Sequence, residues 1–339
     1  MAENNSRILK ITVAGGAGFI GSNFVNQTLR ARRNINITVL DSLTYAGRKS
    51  NLDLPDDRLR VVKGDIRDKS LLEELIPKTD LVVNFAAESH NDNSLKNPRQ
   101  FLETNVVGTF ELIQACSKHD VRYHHVSTDE VFGDLPLEGN NRFTPDTPYS
   151  PSSPYSATKA ASDLLVRAWV RSFSLRATIS NCSNNYGPNQ HEEKFIPRTV
   201  LLAASGIKPK IYGDGANVRD WIHVNDHIDG IWAVIEKGCV GQTYLLGANA
   251  ERTNLQVVQA ILKELGLRED FIEFVPDRPG HDLKYAIDAS KARDDLGWEP
   301  KYASFEEGLK PVVEHYVELA LKGRIDISKI SDSGPSTSF

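Results

Sequence analysis

Tyr155 and Lys159 lie four residues apart, and their types and spacing could do chemistry. Residues at i and i+4 of a helix share a face, so the phenol and the ammonium would point the same way. A nearby ammonium favours the phenolate and should lower the tyrosine pKa from about 10 towards working pH. We therefore predict that Tyr155 removes a hydroxyl proton during hydride transfer. The alternative is an ordinary pair of surface residues. Only the other motifs in the chain argue against that alternative.

A hydroxyl and two carboxylates follow the strand-like run at 122–126, as Ser127-Thr128-Asp129-Glu130. They fall at the C-terminal edge of the predicted sheet, where open α/β sheets bind ligands. Two adjacent carboxyls whose environments separate their pKa values can divide the work of acid and base. We predict that role for Asp129 and Glu130. The alternative is a solvated acidic turn.

Three glycines, Gly15, Gly18 and Gly21, lie between the first strand and the first helix. This pattern allows a tight turn, close approach of a pyrophosphate and close packing of helix on sheet. Asp41 ends the second strand, where an acid can bind ribose hydroxyls and repel a 2′-phosphate. The sequence therefore predicts NAD rather than NADP as cofactor. Asp65 could reach the adenine edge or could instead cap the helix at 69–76.

The elements that must position these residues alternate along the first half of the chain. Strand-like runs separated by helices of ten or more residues predict a parallel, doubly wound Rossmann-type α/β sheet. Beyond residue 186 helices dominate, which predicts a smaller C-terminal α/β lobe that binds the substrate. We expect a mainly cofactor-binding domain at 1–186, a mainly substrate-binding lobe at 187–326 with chain exchange between them, and a disordered Ser-rich tail at 327–339.

Composition narrows the functional classes. A net charge of −5 offers no general attraction for nucleic acid or an anionic membrane. Three distant cysteines without metal-ligand spacing predict neither disulfides nor a metal site. The start of the chain is polar and no apolar run approaches the length of a membrane span, so we expect a cytoplasmic protein.

With these motifs the chain resembles the extended short-chain dehydrogenase/reductases and, within them, the dTDP-glucose 4,6-dehydratases. The resemblance covers residues 8 to 320 and rests on GGAGFIG (15–21), DSLTYAG (41–47), GDIRD (64–68), FAAESH (85–90), ETNVVGT (103–109), HVSTDEVFG (125–133), SPSSPYSATKAASD (150–163), SNNYGPNQ (183–190), EKFIP (193–197), IYGDGANVRDWIHVNDH (211–227) and RPGHDLKYAID (278–288).

The resemblance implies a reaction in which a nucleotide hexose is oxidised at C4, loses water across C5 and C6, and regains hydride at C6. Tyr155 would take the C4 hydroxyl proton, with Lys159 tuning it and Thr128 binding the C4 oxygen. Glu130 would remove the C5 proton and Asp129 would protonate the departing C6 hydroxyl.

The same resemblance assigns binding residues. Besides the motif residues already named, NAD would contact Phe19, Ile20, Ile66, Ala86 and Cys182. The nucleotide sugar would contact Ser89, His90, Asn185, Lys194, Arg219, Asn254, His281 and Tyr285.

Several residues depart from the family pattern, among them Asn91, Asn93, Asn181 and Glu192. They bear on the nucleotide base and the sugar rather than on the reaction. A UDP-linked dehydratase therefore stays open as an alternative. A separate enzyme alternative is a nucleotide-sugar 4-epimerase or decarboxylase, which would have little use for the Asp129–Glu130 pair. A non-catalytic cofactor-sensing protein would have no need of the Tyr/Lys pair.

The helices at 98–118 and 154–173 carry apolar residues on more than one face. Because the sheet covers only one face of each, the surplus must be buried elsewhere. We predict a twofold homodimer in which these helices form a four-helix bundle, as the resemblance also implies. The alternative is that the second lobe or long loops cover them. The residues concerned are Phe101, Val106, Phe110, Leu112, Ile113, Leu164, Leu165, Ala168 and Trp169.

Overall fold

The structure is a computed structural model that describes residues 7–277, 282–302 and 304–331. Its strands are β1 Leu9–Ala14, β2 Ile35–Asp41, β3 Leu59–Lys63, β4 Leu81–Asn84, β5 Arg122–Thr128, β6 Ala177–Cys182, β7 Asn184–Tyr186, β8 Lys210–Tyr212, β9 Val218–His223, β10 Thr243–Leu246, β11 Glu251–Thr253 and β12 Glu273–Val275. Its helices are α1 Phe19–Ala31, α2 Lys69–Leu75, α3 Asn91–Lys96, α4 Pro98–Phe101, α5 Thr109–Lys118, α6 Pro154–Phe173, α7 Phe195–Ala204, α8 Val224–Lys237, α9 Asn254–Glu264, α10 Ser290–Leu296, α11 Phe305–Leu321 and α12 Ile327–Ser331.

Seven strands form one sheet in the order β10-β6-β5-β4-β1-β2-β3, and every neighbouring pair is parallel. The strands are rich in β-branched residues and are mostly buried, as expected for a sheet covered on both faces. One apolar core lies beneath α1, α8 and α10, and the other beneath α2, α5 and α6. The predicted doubly wound α/β class is therefore confirmed.

The second lobe contains the short sheets β11-β9-β7 and β12-β8. Helices α7, α9 and α11 pack there around a third apolar core that includes Trp221 and Tyr316. However, β10 adds to the edge of the large sheet beside β6, and α8 covers its face. The chain thus passes between the lobes more than once, and the division near residue 186 stays a prediction.

Two regions differ from the sequence prediction. The predicted helix at 98–118 is interrupted by a π-helical segment, Leu102–Gly108, which joins α4 to α5. The predicted disordered tail begins with α12 instead, because Ile330 is buried in the core beside α7 and α11. The rest of the tail, 332–339, lies outside the described residues. Within the described ranges no helix is both long and apolar enough to cross a membrane.

Candidate active site

The turn between β1 and α1 can only be made by glycine. Gly15 has a φ of 73°, and a Cβ there would lie 2.5 Å from the backbone nitrogen of Ala86. A Cβ at Gly21 would lie 2.2 Å from the Gly15 carbonyl oxygen. Gly18 precedes α1, whose first residues Phe19 and Ile20 are half-buried. The result is a side-chain-free cradle at a helix N-terminus, which fits a pyrophosphate.

Asp41 lies beside this cradle at the end of β2. Its carboxylate accepts hydrogen bonds from the backbone N–H of Ala17 at 2.9 Å and of Leu43 at 2.8 Å. The structure therefore brings the second-strand acid onto the glycine turn, as a ribose-binding acid requires. Each carboxylate oxygen retains a second lone pair for a hydroxyl donor.

Asp65 and Ile66 follow β3, next to the same edge of the sheet. The Arg67 guanidinium donates to Asp65 at 2.6 Å and lowers the pKa of that carboxyl. Asp65 does not cap the next helix, because Asp68 accepts the hydrogen bond from the Leu71 N–H. Ile66 is buried against Gly108, where a Cβ would lie 2.4 Å from it.

Thr128, Asp129 and Glu130 begin a tight helical turn directly after β5. The Thr128 hydroxyl donates to the Asp129 carboxylate at 3.3 Å and accepts from the Glu130 N–H at 3.3 Å. Asp129 is 2% exposed. Burial, then the charges of Glu130 and Asp220, raise the pKa of Asp129 well above its ordinary value. Asp129 is therefore suited to carry a proton, as a general acid must.

Tyr155 and Lys159 lie on the first turns of α6. Ser153 caps this helix, its hydroxyl accepting from the Ser156 N–H while the Ser156 hydroxyl accepts from the Ser153 N–H. The cap fixes where the helix starts and hence where Tyr155 points. Tyr155 is buried beside Thr128, and Lys159 donates from Nζ to the Val126 carbonyl at 2.9 Å.

The expected lowering of the Tyr155 pKa is not seen. Burial, followed by the charge of Glu130, raises the pKa of Tyr155 well above 10, although its hydrogen bond with Thr128 acts in the opposite direction. The expectation weighed only the ammonium one helical turn away. It could not include desolvation or the carboxylate from a separate segment.

A buried His-Asp pair lies beneath Lys159. His125 Nε2 is 3.3 Å from an Asp163 carboxylate oxygen and 3.5 Å from Lys159 Nζ. Asp163 also accepts hydrogen bonds from Tyr149 and Asn181. Sequence reasoning missed this group. The available signal was spacing, because Tyr155, Lys159 and Asp163 follow one another at four-residue intervals along one helix face.

Arg219, on β9, faces the segment that carries Tyr285. Its guanidinium donates to the carbonyls of Val218 at 2.8 Å and Asp282 at 2.9 Å, and lies 4.1 Å from the Tyr285 ring centroid. The Tyr285 and Ser152 hydroxyls both donate to the Asp282 carboxylate. The structure thus brings Arg219, Asp282 and Tyr285 together, next to the start of α6.

The remaining predicted substrate residues lie on several separate segments. Lys194 donates to the Ser89 carbonyl at 3.0 Å, and His90 lies 3.8 Å from Glu193, so these segments meet. Asn254 begins α9, and its backbone N–H donates to Asn217. His281 lies outside the described residues.

Asn185 is engaged internally. Its amide donates to the Cys182 sulfur at 3.3 Å and the Ser183 carbonyl at 3.0 Å, and its oxygen is 2.8 Å from His227 Nδ1. These contacts favour a role in holding β7 against α8 over the expected contact with a diphosphate. Cys182 is buried beside β5, within hydrogen-bond distance of the Ser127 carbonyl.

Comparison with known proteins gives one consistent result. A model of the GDP-mannose 4,6 dehydratase family matches residues 12–312. The dTDP-glucose 4,6-dehydratase of Mycolicibacterium smegmatis is 56% identical over 308 residues, covering 91% of this chain and 93% of that protein. The chain belongs to this dehydratase family.

Solved structures of a dehydratase and of an epimerase share the fold. The dTDP-glucose 4,6-dehydratase DesIV of Streptomyces venezuelae, with NAD and TYD bound, has a TM-score of 0.88 and 44% identity, covering 91% of this chain and 97% of that one. The UDP-glucose 4-epimerase of Thermotoga maritima, with UDP-glucose, has a TM-score of 0.84 at 27% identity, covering 92% and 100%. The architecture is therefore common to dehydratases and epimerases, and the site residues must distinguish them.

Three departures from the dehydratase pattern have partners in this structure. Asn181 donates to the Thr128 carbonyl at 2.9 Å, which supports the turn that carries the carboxyl pair. Glu192 accepts from Arg48 at 2.7 Å, linking the loop after β2 to the segment before α7. Asn91 donates to Glu130 at 3.0 Å. In the described parts of the chain no cluster of side chains could hold a metal ion.

Proposed function

We propose that the protein is an NAD-dependent dTDP-glucose 4,6-dehydratase, which converts dTDP-glucose into dTDP-4-keto-6-deoxyglucose and water. The observation that carries the proposal is the meeting of three parts at one edge of the sheet. These are the glycine cradle with Asp41, the Tyr155–Lys159 pair, and the turn that begins with Thr128, Asp129 and Glu130. Epimerases have little use for the Asp129–Glu130 pair, because they eliminate nothing at C5 and C6.

NAD would lie in the glycine cradle, with its ribose hydroxyls at Asp41 and its nicotinamide end towards Lys159. When bound, it accepts the C4 hydride and returns it to C6, and its positively charged ring favours the Tyr155 phenolate. Tyr155 takes the proton of the C4 hydroxyl, whose oxygen Thr128 binds. Lys159, held by the Val126 carbonyl, adds positive charge near the phenol.

Glu130 and Asp129 act once C4 is a ketone, because the ketone acidifies the proton on C5. Glu130 removes that proton and later returns it to C5. Asp129 gives its proton to the C6 hydroxyl, which leaves as water. The proton that Tyr155 gained balances the one that Asp129 lost, so the cycle needs no external acid or oxidant. The raised pKa of Asp129 supports this assignment.

The choice of dTDP follows those relatives that are named dTDP-glucose 4,6-dehydratase, at 44–56% identity. Arg219, Tyr285 and Lys194 would contact the diphosphate end of the substrate. A buried guanidinium is a better diphosphate partner than an ammonium because of its planar set of donors. A UDP-linked substrate stays the alternative for the base.

The proposed test is a substrate panel. Purified protein is incubated with dTDP-glucose, UDP-glucose and GDP-mannose, and products are followed by mass spectrometry for loss of one water. We expect rapid loss of water from dTDP-glucose without added reductant. Epimerised product of unchanged mass would contradict the proposal, and faster dehydration of the UDP sugar would correct the nucleotide.

We also propose the twofold dimer through α5 and α6. Phe101, Leu112 and Ile113 are buried within the subunit, so the surplus apolar surface is smaller than expected. It still includes Leu164 and Phe173, which are 54% and 58% exposed. The Phe173 ring packs against Trp169, which meets the Phe110 ring edge to face. A cytoplasmic location stays a prediction from the sequence.

Light scattering tests this assembly, since the subunit mass is 37.7 kDa. We expect twice that mass for the wild type, because the exposed apolar surface should be buried in a partner. Leu164→Asp should give monomer, whereas Leu321→Asp, at an equally apolar but distant exposed site on α11, should leave the mass unchanged. A wild-type monomer at micromolar concentration would rule the dimer out.

A further inference from the structure

Glu130 has a hydrogen-bond donor that the proposed reaction does not explain. The Asn91 side-chain amide donates from Nδ2 to Glu130 Oε2 at 3.0 Å. The Asn91 Oδ1 atom is buried and has no hydrogen-bond partner among the described residues. The amide is thus turned with its donor towards the carboxylate, although its oxygen accepts no hydrogen bond from the part of the chain that the structure describes.

The position of Asn91 is fixed by its own helix. Asn91 is the first residue of α3, and the Ser94 hydroxyl donates to its carbonyl at 2.6 Å. Ser94 is completely buried. Because the buried Ser94 side chain is bonded to this carbonyl, the first turn of α3 is anchored in the interior, and the amide of Asn91 reaches Glu130 from a helix rather than from a loop.

We propose that Asn91 is a positioning residue that orients the Glu130 carboxylate and keeps it ionised for removal of the C5 proton. An N–H donor stabilises the ionised form of a carboxyl group, because its positive end points at a negatively charged oxygen. The inference rests on the proposed function for the identity of the reaction. Its physical content, the charge state and orientation of Glu130, does not depend on the substrate.

The other groups that face Glu130 make such a donor useful. Asp129 lies on the same turn, Tyr155 approaches from α6 and Tyr285 from the segment after β12, and the Glu130 charge raises the pKa of all three. Lys194, just before α7, is a cation that interacts favourably with it. Ionised Glu130 therefore holds protons on its neighbours, and Asn91 supplies a neutral donor that favours this distribution.

The hydrogen bond from Asn91 to Glu130 also gives the carboxyls of Asp129 and Glu130 different environments. Asp129 is almost fully buried and its pKa is raised, whereas Glu130 is half-buried and accepts the Asn91 amide. Loss of the amide removes a donor to the ionised carboxylate, so Glu130 should keep a proton more readily. The pair would then compete for protons, and the acid limb of the kcat profile should move to higher pH, because the base must be ionised.

The test compares Asn91→Leu, which has a similar volume and no donor, with Asn91→Asp, which places a second carboxyl beside Glu130. Asn97→Leu is the matched control, because the Asn97 amide donates to the exposed Gln100 side chain at 3.1 Å and Asn97 lies at the opposite end of the same helix from Asn91. Each variant is measured for kcat against pH and for exchange of solvent deuterium into C5. In parallel, 13C NMR of glutamate Cδ follows the titration of Glu130 without substrate, with Glu130→Gln used to assign the resonance.

For Asn91→Leu we expect kcat to fall roughly tenfold to a hundredfold, the range for loss of a hydrogen bond to a charged group. The Glu130 titration and the acid limb should both move up by about one pH unit, with a larger movement for Asn91→Asp. Deuterium exchange at C5 should slow with kcat. If Asn91→Leu does not fold, the isosteric Asn91→Asp variant answers the same question.

An unchanged Glu130 titration would overturn the inference. So would a loss of activity that appears only in KM, with the acid limb unmoved, since that is a substrate contact or a packing effect. Failure of the proposed function is a separate outcome. There the wild type would not dehydrate dTDP-glucose, while the NMR titration would still report whether Asn91 controls the charge of Glu130.

Discussion

The cofactor half and the substrate half of the site are built in different ways. The cofactor half is backbone: one turn between β1 and α1, held by Gly15 and Gly21 and by the Asp41 carboxylate. The substrate half is side chains from distant segments, with Arg219 on β9, Tyr285 beyond β12 and Lys194 before α7. Glu130 lies where the two halves meet.

This difference predicts how each half responds to substitution. At Gly15 and Gly21 the cradle has no room for a Cβ, because the atoms that would collide with it belong to neighbouring main chain. A set of side chains from separate segments loses one contact at a time. Substitutions in the cofactor half should therefore abolish binding of NAD, whereas those in the substrate half should weaken the reaction in steps.

The largest effect is expected at the meeting point. Glu130→Gln should lower kcat by roughly 10²–10⁴-fold, the usual contribution of a general base. Oxidation at C4 does not need Glu130, so reduced nicotinamide should accumulate transiently and be visible by stopped-flow absorbance. Glu138→Gln, in an exposed loop, should behave as the wild type. A variant at Glu130 that dehydrates at the normal rate would remove it from the mechanism.

The next effect tests the cofactor half. Gly15→Ala forces a Cβ to within 2.5 Å of the Ala86 nitrogen at a φ of 73°. We expect purified protein without bound NAD and a loss of stability of roughly 1–3 kcal/mol. Gly206→Ala is the control, because it has a φ of 74° and no atom of the described residues within 4 Å of the added Cβ. Equal loss of NAD in both variants would point to backbone strain rather than to the cradle.

The third prediction uses Asp220, a buried acid next to Arg219. Burial raises its pKa from 3.8 to about 6. Because the folded state holds this proton more tightly than the unfolded state, the contribution of Asp220 to the free energy of unfolding is highest below pH 3.8 and falls as the pH rises to about 6. The shift corresponds to roughly 3 kcal/mol. Asp220→Asn should therefore gain stability relative to the wild type between pH 4 and pH 7.

Urea unfolding at several pH values measures this gain. The difference between variant and wild type is informative, because buried groups that do not interact with Asp220 titrate equally in both. Asp129 adds to the gain, because the Asp220 charge that helps to raise its pKa is absent from the variant. The Ala248 and Ala250 N–H groups donate to Asp220 in the wild type, so Asn can replace only one acceptor and a constant offset is expected. A difference that does not change with pH would mean that Asp220 is ionised at its ordinary pKa.

The smallest effect tests the substrate half. Arg219→Lys keeps the charge but loses the planar donors and the stacking on Tyr285. We expect KM for the nucleotide sugar to rise roughly tenfold, with kcat and NAD content nearly unchanged. Arg252→Lys, on the adjacent strand and facing Glu306, is the control. Loss of NAD from the Arg219 variant would break the distinction between the two halves.

Much of the cofactor half could be read from the sequence because its determinants are local. Gly15, Gly18 and Gly21 serve one continuous turn, and Asp41 follows at the end of the next strand, so adjacent strands necessarily bring them together. The alternation of strands and helices likewise predicted the parallel sheet. The spacing of Tyr155 and Lys159 placed both on one face of α6, as observed.

What only the tertiary structure decided is the environment of each group. The Tyr155 pKa moves up rather than down, because burial and Glu130 outweigh an ammonium that is bound to the Val126 carbonyl. Asn185 has internal partners, and Asn91 reaches Glu130 across 39 residues of sequence. Local spacing fixes which face a side chain takes, but desolvation and charge depend on segments that meet only when the chain folds.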